Sequence, residues 1–328
     1  MVNTRVLSGI RSSGPLHLGN YLGALKNWRE LQHQYECYFF IANWHALTTD
    51  YADTAALQAN MLDNMAGFLA VGLDPEKCTL FIQSRVPEHA ELHLLLSMFT
   101  PLPWLERVPS YKEQQQQIQD KDLTTYGFLG YPLLQTADII MYKGNYVPVG
   151  IDQVPHIELA RDIARRFNYL YTPVFPEPQP LLTETPKVPG LDGRKMSKSY
   201  NNALFLTDAP EEIERKIRVM MTDPARQRRS DPGNPEICPV FDFHKIFSPP
   251  ETIALVDREC RTAGIGCIDC KKMMSTHLLQ EMGPILEKRQ ELEKRPQEVQ
   301  AVFEEGSKTA QHTAQATMAE VRAAMQVA

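Results

Sequence analysis

Several features are missing from this chain of 328 residues, and each absence narrows what it can be. No apolar run approaches the roughly 18 residues that a membrane-spanning helix needs. The opening Met1-Val2-Asn3-Thr4-Arg5-Val6 has no apolar signal-peptide core. The expectation is a cytoplasmic protein with no membrane partner. Basic charge is not in excess: 34 Lys and Arg stand against 40 Asp and Glu, a formal net charge of −6. A domain coated with positive charge for a polyanion is excluded, whereas a local basic patch is not. No internal repeat is present, and no linker long enough to be disordered.

What is present suits a globular protein. The residues are 43% hydrophobic and 23% charged, on a chain long enough for about two domains and a sizeable core. The first part alternates strand and helix signals. Arg5 to Ile10, Cys37 to Ala42, Cys78 to Gln83 and Tyr146 to Gly150 read as strands; Gly19 to Tyr35, Thr54 to Val71 and Asp152 to Phe167 read as helices. Such alternation predicts an α/β fold, a parallel sheet covered on both faces. Ligands of such sheets bind beyond the carboxyl ends of the strands, where the loops after Ile10 and Val149 belong. Residues 84–128 interrupt the pattern and read as an insertion, with Gln114 to Gln117 as a solvated helical surface. A proline-rich stretch runs from Thr172 to Pro189. Beyond it the chain reads mostly as helices, with Asp208 and Glu211 forming a helix-start signature.

Two segments carry phosphate chemistry. Ser8-Gly9-Ile10-Arg11-Ser12-Ser13-Gly14 links the first strand to the first helix, but its glycine spacing is not that of the dinucleotide fingerprint. Its small residues still let a ligand approach the backbone, and the helix beginning near Gly19 offers unpaired N–H groups to phosphate. His17 and Asn20 sit at that helix mouth and can hydrogen-bond phosphate or ribose; His17 alone reads equally well as a capping or surface histidine. The second segment is Lys195-Met196-Ser197-Lys198-Ser199. A lone lysine is usually solvated surface. Two lysines in one short loop, after Gly190 and Gly193 that permit movement, predict a loop closing on a triphosphate and neutralising charge as it builds.

Tyr131, Gln135 and Asp138 fall on one face of a helix among Leu133, Leu134, Ile139 and Ile140. A carboxylate on a buried face needs a partner. The pattern leaves two readings open: an Asp paired to a basic residue or exposed on the helix edge, or an acceptor for a donor-only group such as an indole N–H.

Of six cysteines, Cys37 and Cys78 lie in apolar strand-like runs and read as small core residues. Cys238, Cys260, Cys267 and Cys270 cluster late, which in a reducing compartment suggests metal more than disulfides. Only Cys267 and Cys270 form a close pair, which disfavours a zinc ribbon; four thiolates also suit a [4Fe–4S] cluster, with zinc as the alternative and inert core cysteines as the remaining reading. Lys271, Lys272, Arg226, Arg228 and Arg229 flank the group and could offset its charge or touch an RNA backbone.

Pro15-Leu16-His17-Leu18-Gly19-Asn20 and the lysine loop together resemble the two nucleotide motifs of class I aminoacyl-tRNA synthetases. Gly19-Asn20-Tyr21-Leu22-Gly23-Ala24-Leu25 is similar to the tryptophanyl-tRNA synthetase family. So are Val147-Pro148-Val149-Gly150-Ile151-Asp152-Gln153, His156-Ile157-Glu158-Leu159 and Arg161-Asp162-Ile163-Ala164. The likeness runs from about residue 5 onward. It implies a Rossmann-like catalytic domain over 1–204 and a C-terminal α-helical domain over 205–328 that reads the tRNA anticodon and carries the four cysteines. It implies ATP contacts from Arg11, Ser12, Ser13, Gly19, Asn20, Gly150, Ile151, Asp152, Val188, Lys195, Met196, Ser197, Lys198 and Ser199, with catalysis by Lys195, Lys198, His17 and Asn20. Lys112 resembles a further phosphate-contacting lysine. For tryptophan, Asp138 would accept the indole N–H and Gln153 hold the amine, while Tyr131, Gln135, His45 and Leu7 shape the pocket. The four-cysteine spacing is similar to that of the bacterial subset that binds a [4Fe–4S] cluster. Partners implied are L-tryptophan, ATP with Mg²⁺, tRNA(Trp) and a second copy of the chain. Four positions depart from the pattern: Asn20 stands where the family usually has His, Arg11 and Ser12 where many relatives have Gln and Pro, and Gln135 where many have Met. The rival readings are the tyrosine enzyme, which shares the fold and a similar Tyr/Gln/Asp face, and a non-catalytic RNA-binding relative.

Overall fold

Apolar runs that must be covered on both faces set the architecture. The computed structural model describes residues 4–109, 111–112, 121–182 and 188–327, with the backbone alone of Ser199; the Gln114 to Gln117 run lies outside the described residues. Five strands, β1 (Arg5–Arg11), β2 (Glu36–Ala42), β3 (Cys78–Ile82), β4 (Tyr146–Val149) and β5 (Gln179–Leu182), form one sheet in the order β3-β2-β1-β4-β5. All pairings are parallel, from Arg5↔Glu36 through Arg11↔Ala42 and from Cys37↔Cys78 through Ile41↔Ile82. Four of these strands match the expected runs. β5 falls inside the proline-rich stretch, where Pro180 pairs with Val147. An edge strand tolerates the missing N–H, which is why proline concealed it from pattern reading.

The helices follow in chain order. The first begins as α1 (Leu18–Asn20), widens into a π-helical turn over Tyr21–Leu25 and continues as α2 (Lys26–Leu31). Then come α3 (Asn43–Asp50), α4 (Leu57–Ala70), α5 (Glu88–Ser97), α6 (Leu102–Glu106), α7 (Tyr126–Met141) and α8 (Val154–Leu170). Thr125 caps α7, its hydroxyl accepting from Phe128 N at 3.3 Å. The late helices are α9 (Pro210–Val219), α10 (Pro239–Phe247), α11 (Pro250–Arg261), α12 (Cys267–Glu293) and α13 (Pro296–Met325). The helix-start signature at Asp208 needs correction. Pro210 begins α9, so Ala209 occupies the cap, and the Asp208 carboxylate instead accepts from Phe205 N at 2.8 Å and Lys216 Nζ at 2.6 Å.

One apolar core lies on each face of the sheet. On the first, Trp28 stacks on Phe39 with ring centroids 4.5 Å apart, and the same core runs on through Ile213, Phe243, Met274 and Phe303 of the late helices. On the second, Leu7, Phe40, Phe81 and Ile157 pack with Ala310, Ala314, Met318 and Val321 of α13. That last helix therefore lies along β3 and covers the edge of the sheet: Ile82 N donates to Ser307 Oγ at 3.2 Å. Gly306 makes the approach possible, since a β-carbon there would meet the Leu80 carbonyl oxygen at 1.9 Å. Gly306→Ala must push helix from strand and is expected to cost about 1–3 kcal/mol. Urea unfolding checks this; an unchanged midpoint would mean that α13 does not press on β3.

Candidate active site

The strand order reverses between β1 and β4, and the crevice at such a point is where ligands of parallel sheets bind. A cavity of about 420 Å³ opens there. Leu7, Ser8, Gly9 and Arg11 of β1 line it with Val147 to Gly150, the first helix (Gly23, Ala24, Trp28), α3 (His45, Thr48) and α7 (Tyr131, Gln135, Asp138, Ile139). Gln153 and His156 complete the wall. Gly9 is required because a β-carbon would strike the Phe40 ring at 2.5 Å.

Beside this cavity the chain brings its two lysine and glycine motifs together. Leu18 N donates to Leu204 O at 2.8 Å and Leu206 N to Leu16 O at 2.9 Å, so the helix mouth is paired to the segment just after the lysine loop. Lys198 then lies against the glycine loop: a β-carbon at Gly14 would be 3.4 Å from its Nζ. Burial lowers the Lys198 ammonium to about 8, Arg11 lowers it too, and the carboxylates of Asp63 and Asp50 oppose both. Arg11 is likewise lowered by burial; its Nη2 donates to Thr49 Oγ1 at 2.5 Å while its Nε is buried without a partner among the described residues. Two cations crowded into one poorly solvated place are a ready site for an anion.

His17 and Asn20 lock the helix mouth as a reciprocal cap. His17 Nδ1 accepts from Asn20 N at 3.2 Å, and Asn20 Oδ1 accepts from His17 N at 3.1 Å. Burial, and then the Lys198 charge, lower the imidazole to about 4. It is neutral at pH 7, and with Nδ1 an acceptor its proton sits on Nε2, ready to donate. The lysine loop is held by Asn202, which is almost fully buried. Asn202 Oδ1 accepts from Ser197 N at 2.8 Å, and Nδ2 donates to Asp192 Oδ1 at 2.7 Å and Lys195 O at 3.2 Å. The upstream glycines serve this packing. Gly190 admits the Asn202 amide, and Gly193 takes a left-handed turn at φ 80°.

Asp138 is 1% exposed and surrounded by donors. Oδ1 takes His89 Nδ1 at 2.6 Å and Gln83 Nε2 at 2.9 Å; Oδ2 takes Gln83 Nε2 at 2.8 Å and His45 Nε2 at 2.9 Å. Burial alone would raise this carboxyl, but the imidazoles of His89 and His45 outweigh it and hold Asp138 at about 2. The paired reading of the residue is realised, with imidazoles as its partners, and the same carboxylate lines the cavity.

The four late cysteines gather at helix ends: Cys238 caps α10, Cys260 lies in α11, and Cys267 and Cys270 open α12. Their thiols feel one another. Burial and then Cys238, Cys260 and Cys267 push Cys270 up to about 12, and burial, against the neighbouring Arg226, raises Cys260. Arg226 Nη1 stands 3.7 Å from Cys260 Sγ. Among the described residues no group of three or more His, Cys, Asp or Glu is arranged to hold a metal ion, so the donor chemistry suits a metal whereas a formed metal site is not shown.

Leu7, His45, Tyr131, Gln135, Asp138 and Gln153 all line the cavity, as do Arg11 and Gly150. Ser12 is fully buried beside it, Met196 of the lysine loop and Val188, whose carbonyl accepts from Met196 N at 3.2 Å, are buried, and Lys195, Ile151 and Asp152 are exposed. Lys112 is exposed and does not line the cavity. Sequence reasoning missed Gln83, His89 and Tyr142, which back Asp138, and Asp63, which accepts from Leu16 N at 3.4 Å and pairs with Arg289 of α12. Only Gln83 left a signal, as a polar residue closing an apolar strand. The Lys198 environment is checked by NMR of carbon-13 dimethylated lysines. One signal should titrate near 8 rather than at 10.5, and lower still in Asp63→Asn; a midpoint above about 10 would place the ammonium in water.

Over residues 2–282 the chain matches the family of tRNA synthetases class I (W and Y). It is 53% identical to the tryptophan–tRNA ligase of Thermotoga maritima over 98% of each chain. It is 46% identical to that of Aquifex aeolicus, over 98% of this chain and 99% of the relative. The tryptophanyl-tRNA synthetase of Campylobacter jejuni, solved in complex with ADP and tryptophan, superposes with a TM-score of 0.88 at 33% identity, covering 98% of this chain and 100% of that one. Likeness of this depth over nearly the whole length, on a sheet whose crevice is furnished for an anion beside an apolar pocket, leaves one conclusion: the chain belongs to the class I tRNA synthetases of the tryptophan and tyrosine family.

Proposed function

We propose that this chain is a tryptophan–tRNA ligase, which joins L-tryptophan to ATP as tryptophanyl-adenylate, releasing pyrophosphate, and then passes tryptophan to the terminal ribose of tRNA(Trp). The observation that carries this reading is Lys198 lying against the Gly14 loop, just beyond a strand whose residues line the cavity that holds Asp138. Full-length relatives that are tryptophan–tRNA ligases support it. An indole N–H is a donor only, so an ionised Asp138 is a matched acceptor, whereas a tyrosine hydroxyl makes no such demand.

The substrate carboxylate is ionised at pH 7 and attacks the α-phosphate without a general base. Catalysis then rests on placement and on stabilising negative charge at phosphorus and on the leaving pyrophosphate. Lys195 and Lys198 supply charge to the phosphates, and a bound polyanion draws Lys198 back into its protonated form. His17 Nε2–H donates to a phosphate oxygen, while Asn20 fixes the ring. Arg11, with its unpartnered Nε, takes charge between pocket and phosphates. Ser12, Ser13, Gly19, Gly150, Ile151, Asp152, Val188, Met196, Ser197 and Ser199 complete the nucleotide site. Mg²⁺ would enter with ATP as part of the substrate and supply further positive charge to its phosphates. Gln153 holds the amine, and Leu7, His45, Tyr131 and Gln135 shape the indole pocket. The same reading gives a cytoplasmic homodimer with residues 205–328 facing the tRNA anticodon. It also gives Cys238, Cys260, Cys267 and Cys270 as holders of a [4Fe–4S] cluster that serves structure or RNA binding, Arg226 offsetting its charge.

Lys195→Ala and Lys198→Ala are each expected to slow tryptophan-dependent pyrophosphate exchange by on the order of 10²–10³-fold, with tryptophan affinity little changed. Exchange unchanged from the wild type in both variants would remove their role, and wild-type exchange faster with tyrosine than with tryptophan would favour the tyrosine reading. For the cysteines, an anaerobic preparation should be brown and carry about four irons per chain; a colourless one containing zinc overturns the iron–sulfur assignment.

A further inference from the structure

Asp138 already holds as many hydrogen bonds as a carboxylate can accept. Its two oxygens offer about four lone-pair directions, and His89, Gln83 twice, and His45 take them. These donors are not equivalent. Gln83 and His89 are fully buried and do not line the cavity, whereas His45 does. A donor arriving from the cavity therefore competes with His45 for Oδ2, while Gln83 and His89 grip the carboxylate from behind.

The rear grip has a fixed direction. An ionised carboxylate only accepts, so His89 Nδ1 carries the proton of the bond to Oδ1. In the neutral ring Nε2 then accepts, and its partner is the Tyr142 hydroxyl at 2.7 Å. Tyr142 is fully buried, packed at ring centroids 4.7 Å from Tyr38, so it has little freedom to turn away. The chain Tyr142 O–H to His89, His89 N–H to Asp138 runs one way, and its far end has no other task in the site.

We propose that His89, held in one tautomer by Tyr142, is a positioning residue for indole selection: it fixes Asp138 so that the lone pair now used by His45 is the one an incoming indole N–H takes. The proposal rests on tryptophan being the substrate. It predicts that damage to the chain weakens recognition of the N–H alone and spares the chemistry of the phosphates.

Pyrophosphate exchange tests this with tryptophan and with 3-(benzothiophen-3-yl)alanine, an isostere whose ring sulfur cannot donate. The wild type should prefer tryptophan strongly, by on the order of 10²-fold or more in kcat/KM. Tyr142→Phe should raise KM for tryptophan about 5- to 10-fold, with kcat, the KM for ATP and the isostere's KM nearly unchanged. His89→Leu should cut the tryptophan-to-isostere ratio by at least about 10-fold, and His89→Asn, which keeps a donor near the Nδ1 position, should restore part of it. A variant that lowers kcat/KM for both substrates equally shows a structural role and overturns the proposal, as does an unchanged ratio in His89→Leu. Should His89→Leu fail to fold, Tyr142→Phe and His89→Asn decide between the same outcomes. A wild type that uses the isostere as well as tryptophan sinks the indole-acceptor reading itself, whatever the variants do.

Discussion

A short antiparallel pairing between residues 16–18 and 204–206 is the constraint on which this molecule turns. Two backbone hydrogen bonds, Leu18 N to Leu204 O and Leu206 N to Leu16 O, fasten the mouth of the first helix to the segment leaving the lysine loop. Neither the glycine motif nor the lysine loop makes the site alone. With the pairing in place, Lys198 rests on Gly14, the His17 ring is neutral, and Met196 is buried against the first turn. The residues that flank the bridge, Leu16, Leu18, Leu204 and Leu206, are all buried in the same core. Apolar burial thus sets the position of groups whose work is polar.

The site is assembled from charges held where water is scarce. Lys198 and Arg11 are both lowered by burial, so each gains from a polyanion that restores its charged form. Asp138 is the opposite case, a buried carboxylate kept ionised by imidazoles and an amide. The late helices reach the same region. Arg289, almost wholly buried on α12, pairs with Asp63, and Glu281 of the same helix accepts from Tyr21 Oη at 3.0 Å and Lys26 Nζ at 2.7 Å. The helix that begins at Cys267 is thereby anchored to the first helix and to α4.

Much of the fold was legible because it is local. Cys37 to Ala42 and Cys78 to Gln83 are apolar runs that only a doubly covered strand can satisfy, and the observed β2 and β3 follow them closely. The 131/135/138 face was legible because a helix repeats its geometry without help from the rest of the chain. The failures are equally physical. β5 carries prolines that only an edge position excuses, and the Asp208 signature lost to Pro210, which starts the helix one residue later than the pattern allows. The packing role of Gly190 left no mark in the pattern, because its contact is with Asn202, a residue some way ahead in sequence.

What the sequence determined by itself is therefore the set of parts: strands and helices, a glycine-rich first turn, a paired-lysine loop, a Tyr/Gln/Asp face and four late cysteines. Each rests on residues close together along the chain, where spacing alone fixes the geometry. Only the tertiary structure decided which parts meet. Gln83, His89 and His45 converge on Asp138 from three separate elements, and Asp63 joins Arg289 across 226 positions of sequence. No periodicity encodes such meetings, because they follow from how helices and strands pack against one sheet, and the buried polar groups then take whichever partners that packing leaves within reach.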